Sequence, residues 1–98
     1  MKAGKLKTGE TMAEKLLQKG EACLLIVASD ASENTRTKFD RKCFFYKKPL
    51  LIYSTKEVLS HSVGQENRSV FIIAEQGFAA RIYALISQEE NPASDGSD

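Results

Sequence analysis

Hydrophobic residues in this chain occur in two kinds of segment. Three short runs, residues 22–28, 50–53 and 69–74, are almost entirely apolar and rich in branched side chains. Such runs are typical of buried strands, and 22–28 is uniform enough to predict a central strand covered on both faces. Elsewhere, apolar residues recur every three or four positions, as on one face of a helix. The pattern predicts strands that alternate with helices.

Four amphipathic segments are bounded by residues that commonly begin or end helices. Their predicted apolar faces are Met12, Ala13, Leu16 and Leu17; Phe39, Cys43 and Tyr46; Val58, Leu59 and Val63; and Phe78, Ile82, Leu85 and Ile86. Thr8 is the candidate N-cap of the first helix, and Gly20, Pro49 and Gly64 are the candidate ends of the first three. Together with an extended piece at residues 6–8, this alternation predicts a three-layer α/β/α domain with a largely parallel centre.

Length and composition are those of one globular domain. With 98 residues, the chain is too short for two separate cores. We expect the domain to span residues 1–87 and to be followed by a disordered acidic tail, residues 88–98. The apolar runs are too short to cross a bilayer, and the N-terminus lacks a secretory signal, so we expect a cytoplasmic protein with no membrane partner.

Charge is distributed unevenly along the chain. Residues 88–98 contain four acidic residues and no lysine or arginine, so the rest is more basic than the net charge of +1 indicates. Positive residues concentrate near the N-terminus and again between Arg36 and Lys48. This distribution favours an anionic partner such as RNA, although lysine-rich helices are often only solvated surfaces.

The sequence offers little catalytic chemistry. Cys23 and Cys43 lie in apolar segments and predict buried thiols rather than a disulfide or metal site. His61, the only histidine, is expected to be a surface residue rather than a general base. Asp30 follows the central strand, where ligands of open α/β sheets bind, but a cap of the next helix is the favoured interpretation. We expect no enzyme activity, no metal and no cofactor.

The stretch from Lys5 to Lys15 combines lysines, a glycine and a helix start. Free backbone N–H groups and the positive end of the helix dipole therefore collect with cationic side chains at one corner. This combination suits a phosphate group. In contrast, most aromatic residues occupy predicted core positions, which argues against a single-strand stacking surface. Phe44 and Phe45 are adjacent, so we expect them not to be buried equally, and one of them is a candidate to face a partner.

A resemblance to a known protein family rests on several separated segments: Ala3–Leu6, Gly9–Glu10, Cys23–Thr35, Lys42–Cys43, Lys56–Gly64 and Gln76–Ala79. Their order and spacing resemble the kink-turn-binding ribosomal protein family of the large subunit, seven-A-e type. More narrowly, they resemble its bacterial YlxQ-like branch, whose hallmark is the stretch found here at Ser29–Thr35.

The resemblance implies a compact α/β/α sandwich on a mixed four-stranded sheet, without catalytic activity, that binds the bent RNA element called a kink-turn. In that family the first helix enters the widened major groove, and a loop before the final strand covers a flipped-out nucleotide. Gly9 matches the glycine that opens the helix, Lys15 the groove lysine, and residues 65–69 the loop. Thr11 and Met12 stand where the family usually has asparagine and glutamate.

We therefore predict a monomeric RNA-binding protein, associated with ribosomes or translation, that recognises structured RNA rather than DNA. The predicted RNA contacts are Lys5, Lys7, Thr8, Gly9, Glu10, Thr11, Lys15, Asp30, Glu66, Asn67, Arg68 and Ser69. Two alternatives remain at this point. One is a protein–protein adaptor on the same fold, and the other is a small enzyme built around Asp30 and His61.

Overall fold

The computed structural model describes residues 6–65 and 67–90, with side chains described as far as residue 88. The elements in that part of the chain are β1 (Leu6–Thr8), α1 (Glu10–Lys19), β2 (Leu24–Val27), α2 (Glu33–Tyr46), β3 (Leu50–Ile52), α3 (Lys56–Ser62), β4 (Val70–Ile73) and α4 (Gln76–Glu90). The strands form one sheet in the order β1-β4-β2-β3. Of the expected acidic tail, residues 88–90 continue α4, and residues 91–98 lie outside the described part.

The sheet is mixed, which confirms the fold class. Only β2 and β3 are parallel, whereas β4 is antiparallel to both β1 and β2. The expectation of a largely parallel centre is therefore wrong, because the two central strands run in opposite directions, with Leu25 opposite Ile72. Hydrophobic periodicity shows which residues are buried, but it carries no information on strand direction.

Each face of the sheet packs on a pair of helices. Along β2, Leu25 and Val27 belong to the core cluster that includes α1 and α2, whereas Leu24 and Ile26 belong to the cluster on the α3 and α4 side. All four residues are buried. This confirms β2 as a central strand covered on both faces, and the two clusters make the three layers of the sandwich.

Three helix boundaries are defined by caps, and one of them, the end of α1 at Gly20, confirms a prediction. The Thr35 N–H donates to the Ser32 hydroxyl at 3.2 Å at the start of α2, and the Val58 N–H donates to Thr55 Oγ1 at 3.2 Å at the start of α3. At its C-terminus, α1 stops at Gly20, which has a φ of 75°. These helices begin and end where side-chain caps and a glycine allow.

Thr8 does not cap α1. It is the last residue of β1 and lies opposite Phe71 of β4. The N-cap position is taken by Gly9, and no side chain caps the helix there. Strand pairing with β4 extends one residue further than the sequence indicates, because the Gly9 N–H donates to the Val70 carbonyl at 2.9 Å.

Several residues predicted to be buried are more exposed. β3 was expected as a buried strand, but it lies at the edge of the sheet, and Ile52 is exposed. Val58 and Leu85 are exposed although they were assigned to apolar helix faces, and Cys23 is only half-buried, unlike Cys43. Periodicity alone does not show where a helix face extends past its neighbour or which strand lies at an edge.

Phe44 and Phe45, at the end of α2, are both exposed, by 86% and 75% respectively. Neither ring is buried, whereas the expectation was that the two would be buried unequally. The inward positions of α2 are taken by Phe39 and Cys43, with Tyr46 partly buried at the helix end. Among the described helices, none has the length and apolar character needed to span a membrane.

Candidate nucleic-acid interface

The candidate site lies at one end of the sheet, where β1 and β2 finish and β4 begins. Besides the bond from Gly9 to Val70, the Ala28 N–H donates to the Ser69 carbonyl at 2.9 Å. These backbone bonds bring the start of α1, the end of β2 and residues 67–69 together. Lys5 and Glu66, which were predicted to join them, lie outside the described residues.

The Arg68 side chain lies beside Gly9. A Cβ atom on Gly9 would be 3.6 Å from Arg68 Nη1, which is an ordinary contact. Space is therefore not the reason for glycine. The reason is the backbone, since φ is 105° and ψ is 152°, a region that only glycine enters readily. The Arg68 guanidinium group therefore lies beside the start of α1, where glycine leaves the first backbone N–H groups of the helix uncovered.

A serine outside the predicted RNA contacts holds the loop in place. Ser60 of α3 is only 2% exposed. Its hydroxyl accepts a hydrogen bond from the Arg68 N–H at 2.8 Å and donates one to the Arg68 carbonyl at 3.0 Å. Nearby, Asn67 adopts a φ of 58°. The only sign of the role of Ser60 in the sequence is a small polar residue between Leu59 and Val63, which both pack inward.

The start of α1 differs from the starts of the other helices. Side chains of Ser32 and Thr55 cap α2 and α3, and at the start of α4 the Phe78 N–H donates to Glu75 Oε1 at 2.6 Å. At Gly9 there is no side-chain cap. Because the first N–H groups of a helix have no intrahelical acceptor, those of α1 are available to an anion from outside.

Glu10, a predicted RNA contact, bonds to α2. Its carboxylate accepts from Thr35 Oγ1 at 3.0 Å and pairs with Lys38 at 3.5 Å, and the Ser32 hydroxyl donates to Thr35 Oγ1 at 3.0 Å. Lys38 also pairs with Glu14. The carboxylate of Glu10 therefore connects the start of α1 to the first turns of α2, and its bonds are made to residues of this chain.

The Glu14–Lys38 pair keeps both groups charged. The hydrogen bond from Lys38 lowers the pKa of the Glu14 carboxyl below its usual value. The same bond raises the pKa of the Lys38 ammonium. Lys38 is therefore balanced by carboxylates on α1, and its charge is not free for a phosphate.

Other cations near the site have no such partner. Lys15 and Thr11 are both exposed and are four residues apart, so they share one face of α1. Lys7 is half-buried in β1. In residues 6–65 and 67–88, the ion pairs formed are those of Lys38, so Lys7, Lys15 and Arg68 remain unpaired there. Met12, in contrast, packs against the core cluster.

The stretch Ser29–Thr35 connects the site to its scaffold. Asp30 Oδ1 accepts from the Lys56 N–H at 2.8 Å, and the Ser29 hydroxyl donates to the Ser54 carbonyl at 2.5 Å. Asp30 is thus a helix cap, as the favoured interpretation held, but for α3 and not for the next helix. Since Ser32 and Thr35 reach the starts of α2 and α1, this short stretch contacts three helix starts.

A cleft of about 400 Å³ adjoins the loop. Its lining includes Asp30, His61 of α3, and Asn67. Both residues of the enzyme hypothesis are therefore in one cleft, although the Asp30 carboxylate is already bonded to the start of α3. Within the part of the chain that is described, no cluster of three or more His, Cys, Asp or Glu side chains could hold a metal ion.

Comparison with known proteins identifies the family. The profile of the "Ribosomal protein L7Ae/L30e/S12e/Gadd45 family" matches residues 1–83. The chain belongs to this family. It is 35% identical over 85 residues to "RNA-binding protein YlxQ" of Bacillus subtilis (strain 168), covering 87% of this chain and 85% of that protein. With the protein of the same name from Enterococcus faecium it shares 36% identity over 86 residues, covering 88% and 82%.

Solved structures agree with this assignment. A Bacillus halodurans protein described as of unknown function superposes with a TM-score of 0.83 at 33% identity, over 87% of this chain and 86% of that one. The "Giardia lamblia 15.5kD RNA binding protein" superposes with a TM-score of 0.71 over 88% and 73%, and at 22% identity it supports the fold alone. The resemblance to the YlxQ-like branch of the family is confirmed.

Proposed function

We propose that this protein binds RNA, that its target is kink-turn-type bent RNA, and that it acts without catalysis in a ribosomal or translational setting. Family membership and the names of the two bacterial relatives support RNA as the partner. The observation that carries the proposal is the uncapped start of α1 with the Arg68 guanidinium beside it.

Phosphate contacts come first in this proposal because they supply most of the affinity for nucleic acid. The free N–H groups after Gly9 bind one phosphate, and Arg68 and Lys7 neutralise its neighbours. Arg68 is well suited to this because its backbone is fixed by Ser60. Only the side chain must then lose freedom on binding.

Base contacts come from the exposed face of α1. Thr11 and Lys15 lie on that face, and both side chains can form hydrogen bonds with base edges. The major groove of regular A-form RNA is too narrow to admit them, so this face fits a duplex that is sharply bent and locally widened. Met12 is occupied by packing and contributes little to recognition.

The cleft beside the loop accommodates a nucleotide that has left the stack. Its volume of about 400 Å³ is enough for a base. Asn67 and His61 offer hydrogen-bonding groups in its lining. Ser69, a further predicted contact, directly precedes β4.

Of the other predicted contacts, Glu10 and Asp30 act as scaffold in this proposal, whereas Lys5 and Glu66 stay predictions. We also propose a monomeric cytoplasmic protein.

The test compares a kink-turn duplex with an unbent duplex of the same base composition, titrated at several salt concentrations. If about four phosphates are contacted, log K for the kink-turn should fall with log salt at a slope of about −3 to −4. Arg68→Gln should weaken binding and lower the magnitude of that slope by about 1. Arg81→Gln, which removes an exposed arginine on α4, is the matched control and should leave the slope unchanged.

Equal affinity for the bent and unbent duplexes would contradict the kink-turn part of the proposal. Absence of binding to either, under conditions where the protein is folded, would contradict duplex RNA binding at the start of α1. That second result would favour the adaptor hypothesis.

A further inference from the structure

An exposed surface at the other end of the sheet combines aromatic and basic side chains. We call it the aromatic-basic surface, and its residues are Arg41, Phe44, Phe45, Lys47 and Lys48, which line one shallow groove. The Leu25 N–H donates to the Pro49 carbonyl at 3.1 Å, so this segment lies beside the beginning of β2. The candidate RNA interface lies beyond the end of the same strand. The two surfaces are therefore at opposite ends of the sheet.

The two phenylalanines are held at a fixed helix end. Phe45 meets the half-buried Tyr46 edge to face, with ring centroids 5.0 Å apart and an interplanar angle of 88°. The Lys47 and Lys48 N–H groups donate to the Phe44 and Cys43 carbonyls at 3.3 and 2.9 Å. These bonds end α2 and fix the positions of the aromatic and basic residues relative to one another.

Their exposure removes the sequence-based argument against a single-strand stacking surface, and it needs an explanation. Single exposed apolar residues are common on proteins, but two neighbouring phenylalanines exposed by 86% and 75% form a patch of the kind that marks an interaction site. Core packing does not require them, since Phe39 and Cys43 already fill the inward face of α2. The patch therefore points to a partner.

Charge indicates what kind of partner this is. Residues 41–48 contain one arginine, three lysines and no acidic residue. Lysine is depleted in protein–protein interfaces, whereas aromatic rings among lysines and arginines are typical of surfaces that bind single-stranded nucleic acid. A partner that presents a flat apolar group next to a phosphate matches both features.

A second groove extends the surface. It has a volume of about 410 Å³, and its lining includes Lys47, Lys48 and the exposed Tyr83 of α4. The two lysines are shared by both grooves. An extended nucleic-acid strand that crosses from the first groove to the second would therefore contact Phe44 and Phe45, then the two lysines, and then Tyr83.

We propose that the aromatic-basic surface binds unpaired nucleotides of RNA, separately from the α1 site. Bases stack on Phe44 and Phe45, and the intervening phosphates contact Arg41, Lys47 and Lys48. Stacking on a phenylalanine does not depend on base identity, so this surface is tolerant of sequence.

The first experiment measures fluorescence anisotropy of a labelled, mixed-sequence, single-stranded RNA of about ten nucleotides, a length within the usual site size of such surfaces. Phe44→Ala/Phe45→Ala should weaken binding by about tenfold or more for each ring lost. Phe44→Leu/Phe45→Leu should lose as much RNA affinity as the double alanine variant, because leucine is apolar but does not stack on bases. The control Leu85→Ala removes an exposed apolar side chain from α4 and should bind as the parent does.

A second variant reports stacking directly. The chain contains no tryptophan, so Phe44→Trp introduces one fluorophore, which should keep the affinity and be quenched by the bound RNA. Either of two results would overturn the proposal: full affinity in the alanine or leucine variant, or emission of the Phe44→Trp protein that does not change at saturating RNA. Thermal unfolding of each variant verifies that it is folded.

The test is separable from that of the α1 site. A kink-turn duplex without single-stranded ends should bind the parent and the double alanine variant equally. Conversely, Arg68→Gln should leave binding of the single-stranded RNA unchanged. Failure to bind the kink-turn, with normal binding of the single strand, would contradict the proposed function and leave this inference standing.

Discussion

Ser60 bonds to the backbone of Arg68 on both sides, accepting from its N–H at 2.8 Å and donating to its carbonyl at 3.0 Å. One buried hydroxyl on α3 thus positions the loop that lies against the start of α1. The geometry of the candidate site therefore depends on a residue that is itself almost entirely buried.

Ser60→Ala tests this dependence. The change leaves two backbone groups without their partner, and we expect it to cost about 1–3 kcal/mol of unfolding free energy. Affinity for the kink-turn duplex should fall as well, because Arg68 is no longer fixed. Urea denaturation and RNA titration measure the two effects. In the control Ser62→Ala, an exposed hydroxyl bonded within α3 is lost, and stability should change by no more than about 0.5 kcal/mol.

Gly9→Val tests the backbone at the start of α1. At a φ of 105° a branched side chain is strained, and the expected loss of stability is about 1–3 kcal/mol. The added side chain also stands between the free N–H groups and a phosphate, so RNA affinity should drop in the folded protein. Gly77→Ala, in α4, is the control and should be neutral or slightly stabilising. If the folded Gly9→Val variant binds RNA as tightly as the parent, the RNA site is not at the start of α1.

Lys15→Ala should weaken RNA binding and reduce the salt slope by about 1, with a stability change within about 0.5 kcal/mol. The reason is that Lys15 is exposed and has no ion-pair partner among the described residues. Lys19→Ala removes the same charge from the far end of the same helix. If the two variants bind equally, the lysine contribution is general electrostatic attraction and not a groove contact.

Thr11 and Met12 are expected to behave differently from each other. Thr11 is exposed on α1, so Thr11→Asn, which offers both a donor and an acceptor to a base, should tighten or broaden RNA recognition. Met12 packs on the core, so Met12→Glu should lower stability by about 1 kcal/mol or more. Titrations and melts of both single variants and the double variant measure this. Coinciding titrations of Thr11→Asn and the parent would show that this position does not face RNA.

The pairing of Glu14 with Lys38 predicts a small pH dependence. The folded-state pKa of Glu14 is lowered from 4.5, so its stabilising effect is present above that value and is lost as pH falls through the folded-state pKa. Both side chains are partly exposed, so solvent limits the effect to about 0.5 kcal/mol or less. Urea midpoints of the parent and of Lys38→Met should therefore differ at pH 7 and converge as the pH falls below the folded-state pKa of Glu14. A difference that persists at low pH would mean that Lys38 stabilises by packing.

Burial in the sheet could be predicted from the sequence because it follows local composition. The run at residues 22–28 is apolar throughout, and β2 is buried on both faces as predicted. The caps Ser32 and Thr55 are also local features, because the hydroxyl of each accepts from the N–H three residues later. Strand direction was not, because nothing in residues 69–74 records which way β4 runs between its neighbours.

Side-chain roles in the site were harder to predict because they depend on distant partners. Glu10 lies in the first turn of a helix that follows a lysine-containing segment, where a ligand contact is as reasonable as any other role. Its partner Thr35 is 25 residues away in the chain. Asp30 similarly bonds to Lys56, 26 residues later. The adjacency of Phe44 and Phe45 predicted that the two rings would be buried unequally, but adjacency does not show that both are exposed at the end of α2.

The stretch Ser29–Thr35 has a consequence for the rate of association. Its hydrogen bonds to Lys56, Ser54 and Glu10 are made within the protein, so the helix starts that would receive RNA are ordered before any RNA arrives. The entropy of arranging them is lost during folding and not again at each encounter. A ligand that must bend or unstack to fit therefore bears nearly all of the conformational change, and its own flexibility would set the speed at which the complex forms.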